Sequence, residues 1–138
     1  MSPRIKTILA ASLSAAIAFA IAGATRATAG RKDLWTVTID AGAQRAYGSL
    51  GSARNSADPR QSIGCSTFYD PTNRVNQATC IAVDAKGNFA RCMTQDPTIV
   101  AVTFAFTSDS QIAFSWDDHE ECRHIAVSNL SNHEPKLP

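Results

Sequence analysis

Four cysteines restrict the fold of this 138-residue chain more than any other feature. They are Cys65, Cys80, Cys92 and Cys122. An even number of cysteines in a short exported chain is typical of a disulfide framework, because a small core alone gives limited stability. The closest two cysteines are twelve residues apart, so the Cys-x-x-Cys spacing of a structural zinc site is missing. We therefore predict two disulfides.

Four cysteines allow three pairings, and their spacing alone does not select one. We favour Cys65–Cys80 together with Cys92–Cys122. A bridge that closes a loop of about fifteen residues contributes ~3 kcal/mol in the chain-entropy model. A Cys80–Cys92 bridge stays open as an alternative, because these two residues fall almost opposite each other in a predicted hairpin.

The first 29 residues have the pattern of a signal peptide. Arg4 and Lys6 precede the uncharged apolar run 8–22, and Ala27-Thr28-Ala29 offers a small-x-small cleavage site. The run is shorter than the ~20 residues of a membrane-spanning helix and is rich in alanine. We therefore expect cleavage after Ala29, a secreted or periplasmic location and no membrane span.

Removal of this leader changes the charge balance of the chain. Its 13 basic residues fall to 10, while all 12 acidic residues remain, which gives a net charge of −2. No basic stripe is present, which argues against nucleic acid as a partner. We predict a single disulfide-stapled β domain over residues 30–130 and an extended C-terminal tail over 131–138.

The clearest strand pattern lies in residues 110–127. Ile112, Phe114 and Trp116 alternate with small residues, which is the period of a strand with one buried face. The polar residues 117–120 form the predicted loop of a hairpin, and the chain then returns as a second strand.

This loop length determines which residues face each other across the hairpin. It places Ile112 opposite Ile125 and Phe114 opposite Arg123. A slip by one residue would instead put Cys122 and His124 on the face of Phe114. We favour the first register, because it gathers the apolar residues of the second strand on the apolar side.

The remaining segments predict further short strands separated by turns. Asp96-Pro97 favours a short helix near 97–104 with an aspartate N-cap, although the β-branched residues that follow favour a strand almost equally. The other segments are strands at 34–39, 61–69, 80–83 and 89–92, and a glycine-punctuated strand or loop, rather than a helix, at 47–56.

Taken together, these segments predict a mainly β fold. We expect a small antiparallel β-sandwich or partly open barrel of about six or seven strands. The aromatic side chains could form an exposed platform for a sugar or a peptide, but most of them are more simply explained as core residues. These aromatic residues are Trp35, Trp116, Phe68, Tyr69, Phe104, Phe106 and Phe114.

The acidic end of the predicted hairpin is the one cluster that suggests a metal site. Its candidate ligands are Asp117, Asp118, His119, Glu121 and His124. Their spacing matches neither an EF-hand loop nor a His-Glu-x-x-His helix. Charged residues are common in exposed turns, so we favour a solvated turn and expect no cofactor.

No motif in the chain assigns a catalytic residue. Residues 48–52 (GSLGS) differ from the Gly-x-Ser-x-Gly pattern of a serine hydrolase. A phosphate-binding loop at 48–55 is disfavoured, because we expect no strand before it and no helix after it. The candidate ligand-binding residues are instead those beside glycines and turns: Tyr47, Tyr69, Arg45 and Arg54.

Two stretches of the chain resemble a group of small exported bacterial proteins to which no activity is assigned. The first is ARNSAD at 53–58 leading to QSIGC at 61–65, and the second is SDS at 108–110 leading to FSWD at 114–117 and Cys122. The likeness covers roughly residues 45–130. It implies a secreted disulfide domain and brings no catalytic residue with it.

The sequence therefore predicts a non-enzymatic binding domain outside the cytoplasm. Its expected partner is an envelope protein or a glycan, and inhibition of a secreted hydrolase is the sharpest version of this hypothesis. The alternative is a small envelope hydrolase or metal-dependent enzyme that uses the acidic and histidine residues at 117–124.

Overall fold

Two antiparallel sheets and two short helices make up the secondary structure of the computed structural model, which describes residues 32–135 and 137. Its seven strands confirm the predicted mainly β fold. The predicted signal peptide lies outside the described residues. The elements are β1 (Thr38–Asp40), β2 (Arg45–Ser49), α1 (Leu50–Asn55), β3 (Ser62–Asp70), β4 (Val75–Val83), β5 (Phe89–Thr94), α2 (Pro97–Thr103), β6 (Gln111–Trp116) and β7 (Cys122–Ser128).

The strands divide into two sheets with different chain connections. Sheet 1 has the order β1-β2-β6-β7, and sheet 2 has the order β3-β4-β5. Neighbours in sheet 2 follow one another as hairpins, whereas β2 and β6 are separated by the whole of sheet 2. Sheet 1 is therefore assembled from the two ends of the domain around the contiguous sheet 2.

The core combines large side chains from sheet 1 with small ones from sheet 2. Ile112 and Phe114 of β6 are fully buried, and they belong to the same buried cluster as Cys80, Ala82 and Ala90. Short side chains on one sheet leave room for bulky ones on the other, so the two layers pack without large voids. This arrangement is that of a β-sandwich.

Both predicted disulfides are present. Cys65–Cys80 joins two residues that face each other across β3 and β4. Cys92–Cys122 joins β5 of sheet 2 to β7 of sheet 1. Two disulfides indicate an oxidising location outside the cytoplasm. Among the described residues, no helix has the length and hydrophobicity needed to cross a bilayer.

The β6–β7 hairpin has the predicted faces but not the predicted register. Phe114 lies opposite Ile125, and Ile112 lies opposite Val127, so the pairing is shifted by two residues and both strands keep their buried faces. The loop spans five residues, 117–121. The pairing is interrupted by an irregularity after Ser115, where one residue of β7 is skipped and Trp116 pairs with Cys122.

The irregularity explains why Cys122 is buried. It pairs Trp116 with Cys122, which moves this cysteine onto the core-facing side together with Ile125. Without it, the alternation of side chains would put Cys122 and Ile125 on opposite faces of β7. The sequence pattern alone gives no sign of this extra residue.

The prediction for residues 47–56 is wrong in its second half. The strand ends at Ser49, and the helix α1 follows at once. The Ser49 hydroxyl caps this helix by accepting a hydrogen bond from the Ser52 N–H at 3.0 Å. The glycine-rich segment therefore consists of the end of β2 and the helix itself, without a loop between them. The N–H groups of Leu50 and Ser52 are already used, by the Ser110 carbonyl and by the cap.

The helix α2 confirms the interpretation of Asp96-Pro97. The Asp96 carboxylate accepts hydrogen bonds from the N–H groups of Thr98 and Ile99, at 2.7 and 3.3 Å, and Pro97 occupies the first turn. The β-branched residues of this segment face the core instead of extending a strand, since Val100 is almost fully buried.

The predicted C-terminal tail packs against α1. The Asn55 side chain donates a hydrogen bond to the Pro135 carbonyl at 2.9 Å and accepts one from the Leu137 N–H at 2.9 Å. A Cβ atom placed on Gly51 would lie 1.8 Å from the Glu134 carbonyl oxygen. The absence of a side chain at Gly51 therefore allows the tail to lie against the helix.

Replacement of Gly51 by alanine tests this packing. We expect Gly51→Ala to lower the free energy of unfolding by about 1–3 kcal/mol, because the tail has to move to admit the methyl group. Urea denaturation measures the change. Gly42→Ala is the matched control, since the nearest atom to its added Cβ lies at 3.7 Å. Equal stability of Gly51→Ala and the wild type would contradict the packing.

Candidate functional site

A groove on the outer face of sheet 1 brings together three of the residues singled out from the sequence, Arg45, Tyr47 and His124. We call it the sheet 1 groove. Its volume is about 460 Å³, which is within the usual range for a small-ligand site. Its lining residues are Trp35, Arg45, Ala46, Tyr47, Gln111, Ala113, Phe114, Ser115 and His124.

The strand register explains why polar and aromatic side chains meet there. Tyr47 pairs with Ala113, and Arg45 pairs with Ser115, which in turn pairs with His124. The residues between them on β2 and β6 point into the core, so these five point outward. The short side chain of Ala113 leaves space between its neighbours and forms the floor of the groove.

Trp35 closes one side of the groove from the segment before β1. Its N–H donates to the Ser52 hydroxyl at 3.1 Å, and its carbonyl accepts from the Ser49 N–H at 2.9 Å. This segment can run beside β2 because Gly48 has no side chain, since a Cβ there would lie 3.0 Å from the Val37 Cα. The indole remains 36% exposed.

The charged and polar side chains that line the groove can all donate hydrogen bonds, and no acidic side chain is among them. Arg45 forms an ion pair with Asp40 at 3.3 Å on its outer side, and both side chains remain exposed. Since a guanidinium has five N–H donors, most of its capacity is still available. The lining residues include no aspartate or glutamate, so the groove favours neutral or anionic ligands.

Asp117, the first candidate metal ligand, is used by the hairpin loop itself. Its carboxylate accepts hydrogen bonds from the N–H groups of Glu121 and His119, both at 2.9 Å, and from Arg123 at 2.6 Å. The Glu121 N–H first, and then the His119 N–H and Arg123, hold the pKa of Asp117 below its ordinary value. Its oxygens therefore stabilise the turn.

The two turns of sheet 2 use an aspartate in the same way. Asp70 accepts from the Thr72 N–H at 2.8 Å, and Asp84 accepts from the Lys86 N–H at 2.9 Å. The pKa of each carboxylate is lowered, first of all by the side-chain amide of the asparagine that ends the turn. In all three turns, an aspartate at the start of the turn accepts a hydrogen bond from the N–H group two residues later.

The other candidate metal ligands do not form one cluster with Asp117. His119 and Glu121 line a separate groove of about 360 Å³ beside Met93. Asp118 accepts from the Gln44 side chain at 2.7 Å, Glu121 lies 3.9 Å from Arg123, and His124 lines the sheet 1 groove. Within the described residues, the one group of three or more ligand atoms within 4.8 Å is formed by the sulfurs of Cys80, Cys92 and Cys122, all of which are in disulfides.

The hairpin loop is also held against sheet 2. The Met93 N–H of β5 donates to the Glu120 carbonyl at 2.9 Å, and Met93 forms an isolated bridge with Glu121. Glu120 adopts a positive φ of 59°, which orients its carbonyl towards β5. The loop therefore connects the two sheets beside the Cys92–Cys122 disulfide.

The candidate ligand-binding residues do not form one surface. Arg45 and Tyr47 share the sheet 1 groove, whereas Arg54 lies on α1 and Tyr69 lies near the end of β3. The sequence analysis missed Ala113, because a small residue gives no signal until its neighbours across the sheet are known.

The prediction that most tryptophan and phenylalanine side chains lie in the core is correct for Phe114, which is almost fully buried, and for Trp116 and Phe106, which are partly buried against the core. It is wrong for three others. Trp35, Phe68 and Phe104 are among the exposed hydrophobic residues. Phe68 lies on the outer face of sheet 2, which also carries exposed Phe89. The alternating pattern identifies a strand but does not say which of its two faces is buried.

Comparison of the chain with protein-family models, with curated proteins and with solved structures finds no match.

The role of Asp117 is tested by the pH dependence of stability. Because its pKa is lower in the folded chain than in the unfolded chain, its carboxylate stabilises the fold above about pH 4, and this contribution is lost as the pH falls through the lowered pKa. We expect Asp117→Asn to be less stable than the wild type at pH 7 and the difference to shrink in acid.

Urea denaturation from pH 7 down to about pH 2.5 measures this difference. Asp118→Asn removes the same charge one residue away and controls for net charge. An identical pH dependence for the two variants would contradict the specific role of the Asp117 hydrogen bonds.

Proposed function

We propose that this chain is an exported, non-enzymatic binding domain that recognises a saccharide in the sheet 1 groove. The observation that carries the proposal is the composition of that groove. Two aromatic rings, Trp35 and Tyr47, and two nitrogen-bearing side chains, Arg45 and His124, surround a floor formed by Ala113.

A saccharide suits this combination of groups. A sugar ring has an apolar face of C–H groups and a rim of hydroxyls. The faces of Trp35 and Tyr47 offer amphipathic surfaces on which the apolar side of the ring can pack. Arg45, Gln111 and His124 provide donors and acceptors for the hydroxyl rim. A saccharide that carries a carboxylate gains further from Arg45, because no acidic residue lines the groove.

Binding fits the groove better than catalysis. Ser115 and His124 face each other across β6 and β7, but the described contacts include neither a hydrogen bond between them nor a carboxylate that orients the histidine. A nucleophile needs both to be activated. The Asp117 carboxylate already serves the turn and the contact with Arg123. We therefore favour binding over the hydrolase and metalloenzyme alternatives.

Export is part of the proposal because of the leader pattern in residues 1–29 and the oxidised state of all four cysteines. Disulfides of this kind persist outside the cytoplasm, where glycans of the envelope and of other cells are found. A rigid two-sheet scaffold that presents preformed side chains also limits the entropy lost on binding.

The proposal is tested by filling the groove. On a printed glycan array, the purified, disulfide-bonded protein is expected to bind a defined set of saccharides, and calorimetry with the strongest of them gives the affinity. Ala113→Phe places a ring on the groove floor, so we expect the affinity to fall at least about tenfold. Trp35→Ala is expected to have a similar effect.

Ala126→Phe is the matched control for this substitution. Ala126 faces Ala113 across β6 and β7, on the same side of sheet 1, but does not line the groove. Equal losses in the two variants would contradict the assignment of the groove. Absence of glycan binding, combined with capture of a protein partner through Phe89 on the other sheet, would overturn the proposed ligand class.

A further inference from the structure

The four cysteines form a continuous row across three neighbouring strands and the end of a fourth. Cys65 and Cys80 are directly opposite on β3 and β4, and Cys80 and Cys92 are directly opposite on β4 and β5. Cys122 joins the row through its bond to Cys92. The sulfurs of Cys80, Cys92 and Cys122 all lie within 4.8 Å of one another. Two separate disulfides are therefore in side-by-side contact.

The two ends of the row differ in access to solvent. Cys65 lies on the outermost strand of sheet 2 and is partly exposed, whereas Cys80, Cys92 and Cys122 are each at most 1% exposed. A reducing thiol can therefore reach the first bridge at Cys65, but the second bridge is shielded from direct attack.

We propose that this row is a thiol–disulfide exchange site, entered at Cys65 by a dithiol and connected through Cys80 to the buried Cys92–Cys122 bond. Its substrate is any small or protein-borne dithiol that fits against the β3 edge. The site transfers the reducing equivalents of that dithiol from the surface to the bond that joins the two sheets.

The exchange conserves sulfur bonds at each step. One thiolate of the dithiol attacks the Cys65 sulfur, which forms a mixed disulfide and releases the Cys80 thiolate. The Cys80 thiolate attacks the Cys92 sulfur, which forms Cys80–Cys92 and releases the Cys122 thiolate. The second thiol of the dithiol then attacks the first sulfur of the same dithiol, which is bonded to Cys65 in the mixed disulfide. This step closes the dithiol into a disulfide and releases the Cys65 thiolate. The dithiol is oxidised to a disulfide, and Cys122 and Cys65 each take up one proton.

The backbone already places Cys80 and Cys92 at a spacing that a disulfide accepts. Directly opposite residues in antiparallel strands have Cα atoms about 4.5–5.5 Å apart, and disulfides span about 4.4–6.8 Å. Cys65–Cys80 shows that opposite residues in this same sheet can be bridged, at a Cα separation of 4.0 Å. The pairing of β4 and β5 therefore brings Cys80 and Cys92 to the separation at which a disulfide can form.

The exchange changes what the disulfides connect. Cys92–Cys122 links the two sheets, whereas Cys80–Cys92 lies wholly within sheet 2. After exchange, the hairpin loop of β6 and β7 is held to sheet 2 by the Met93–Glu120 hydrogen bond without a covalent bond beside it. Reduction of the disulfide at Cys65 therefore removes the covalent bond between the two sheets.

Single cysteine variants test the connection. In Cys65→Ser, Cys80 has lost its partner and carries the free thiol. Exchange with the Cys92–Cys122 bond then forms Cys80–Cys92 and leaves the free thiol at Cys122. In Cys122→Ser, the free thiol starts at Cys92, and exchange passes it to Cys65. We expect alkylation under denaturing conditions, followed by mass spectrometry of peptides, to find the label at both positions in each variant and to find a Cys80–Cys92 bridge in both.

The proposal would be overturned if the label were found only at Cys80 in Cys65→Ser and only at Cys92 in Cys122→Ser. The wild type provides a test that does not depend on the folding of a variant. With one equivalent of dithiothreitol, we expect a species with Cys65 and Cys122 alkylated and Cys80–Cys92 formed. Alkylation of Cys65 and Cys80 with Cys92–Cys122 intact, or resistance of both bridges, would contradict it.

Cys80→Ser is the matched control, because it removes the residue that connects the two bridges and leaves Cys92–Cys122 in place. We expect that bond to survive one equivalent of dithiothreitol in this variant. Its reduction there would show that the buried bridge is reached without Cys80.

Discussion

The Cys92–Cys122 disulfide is the constraint on which the relation of the two sheets depends. It joins β5 to β7 beside the hydrogen bond from Met93 to Glu120. The inner face of sheet 2 is built largely from alanine and cysteine, so its packing against Phe114 has small contact groups on one side. A covalent bond at this point fixes the layers in register, and the outer face of sheet 1 keeps its concave shape.

Features that depend on neighbouring residues were accessible from the sequence. The alternation of Ile112 and Phe114 identifies β6, and Asp96 before Pro97 identifies the start of α2. The fold class also agrees with the sequence analysis. These signals are local, so no knowledge of the tertiary structure is needed. The favoured disulfide pairing is the observed one, but the number and spacing of the cysteines left three pairings open.

Features that depend on distant residues were not accessible. The irregularity after Ser115 serves to bury Cys122, whose partner comes from the other sheet. The helix α1 is completed by a cap at Ser49 and by tail residues 80 and 82 positions away from Asn55. The groove exists because β2 lies beside β6, and only that pairing sets Tyr47 against Ala113. A strand order of this kind cannot be derived from hydrophobic periodicity.

The contact between the beginning and the end of the described chain has a consequence for folding during synthesis. The Asp33 N–H donates to the Asn132 carbonyl at 2.8 Å, and the Asn132 side chain donates to the Asp33 carboxylate at 2.6 Å. Since these partners are 99 positions apart, the first segment stays without its final neighbour until Asn132 has been synthesised. A nascent polypeptide that stalls before Asn132 consequently leaves the backbone at Asp33 unpaired, where a protease or chaperone can distinguish it from the folded domain.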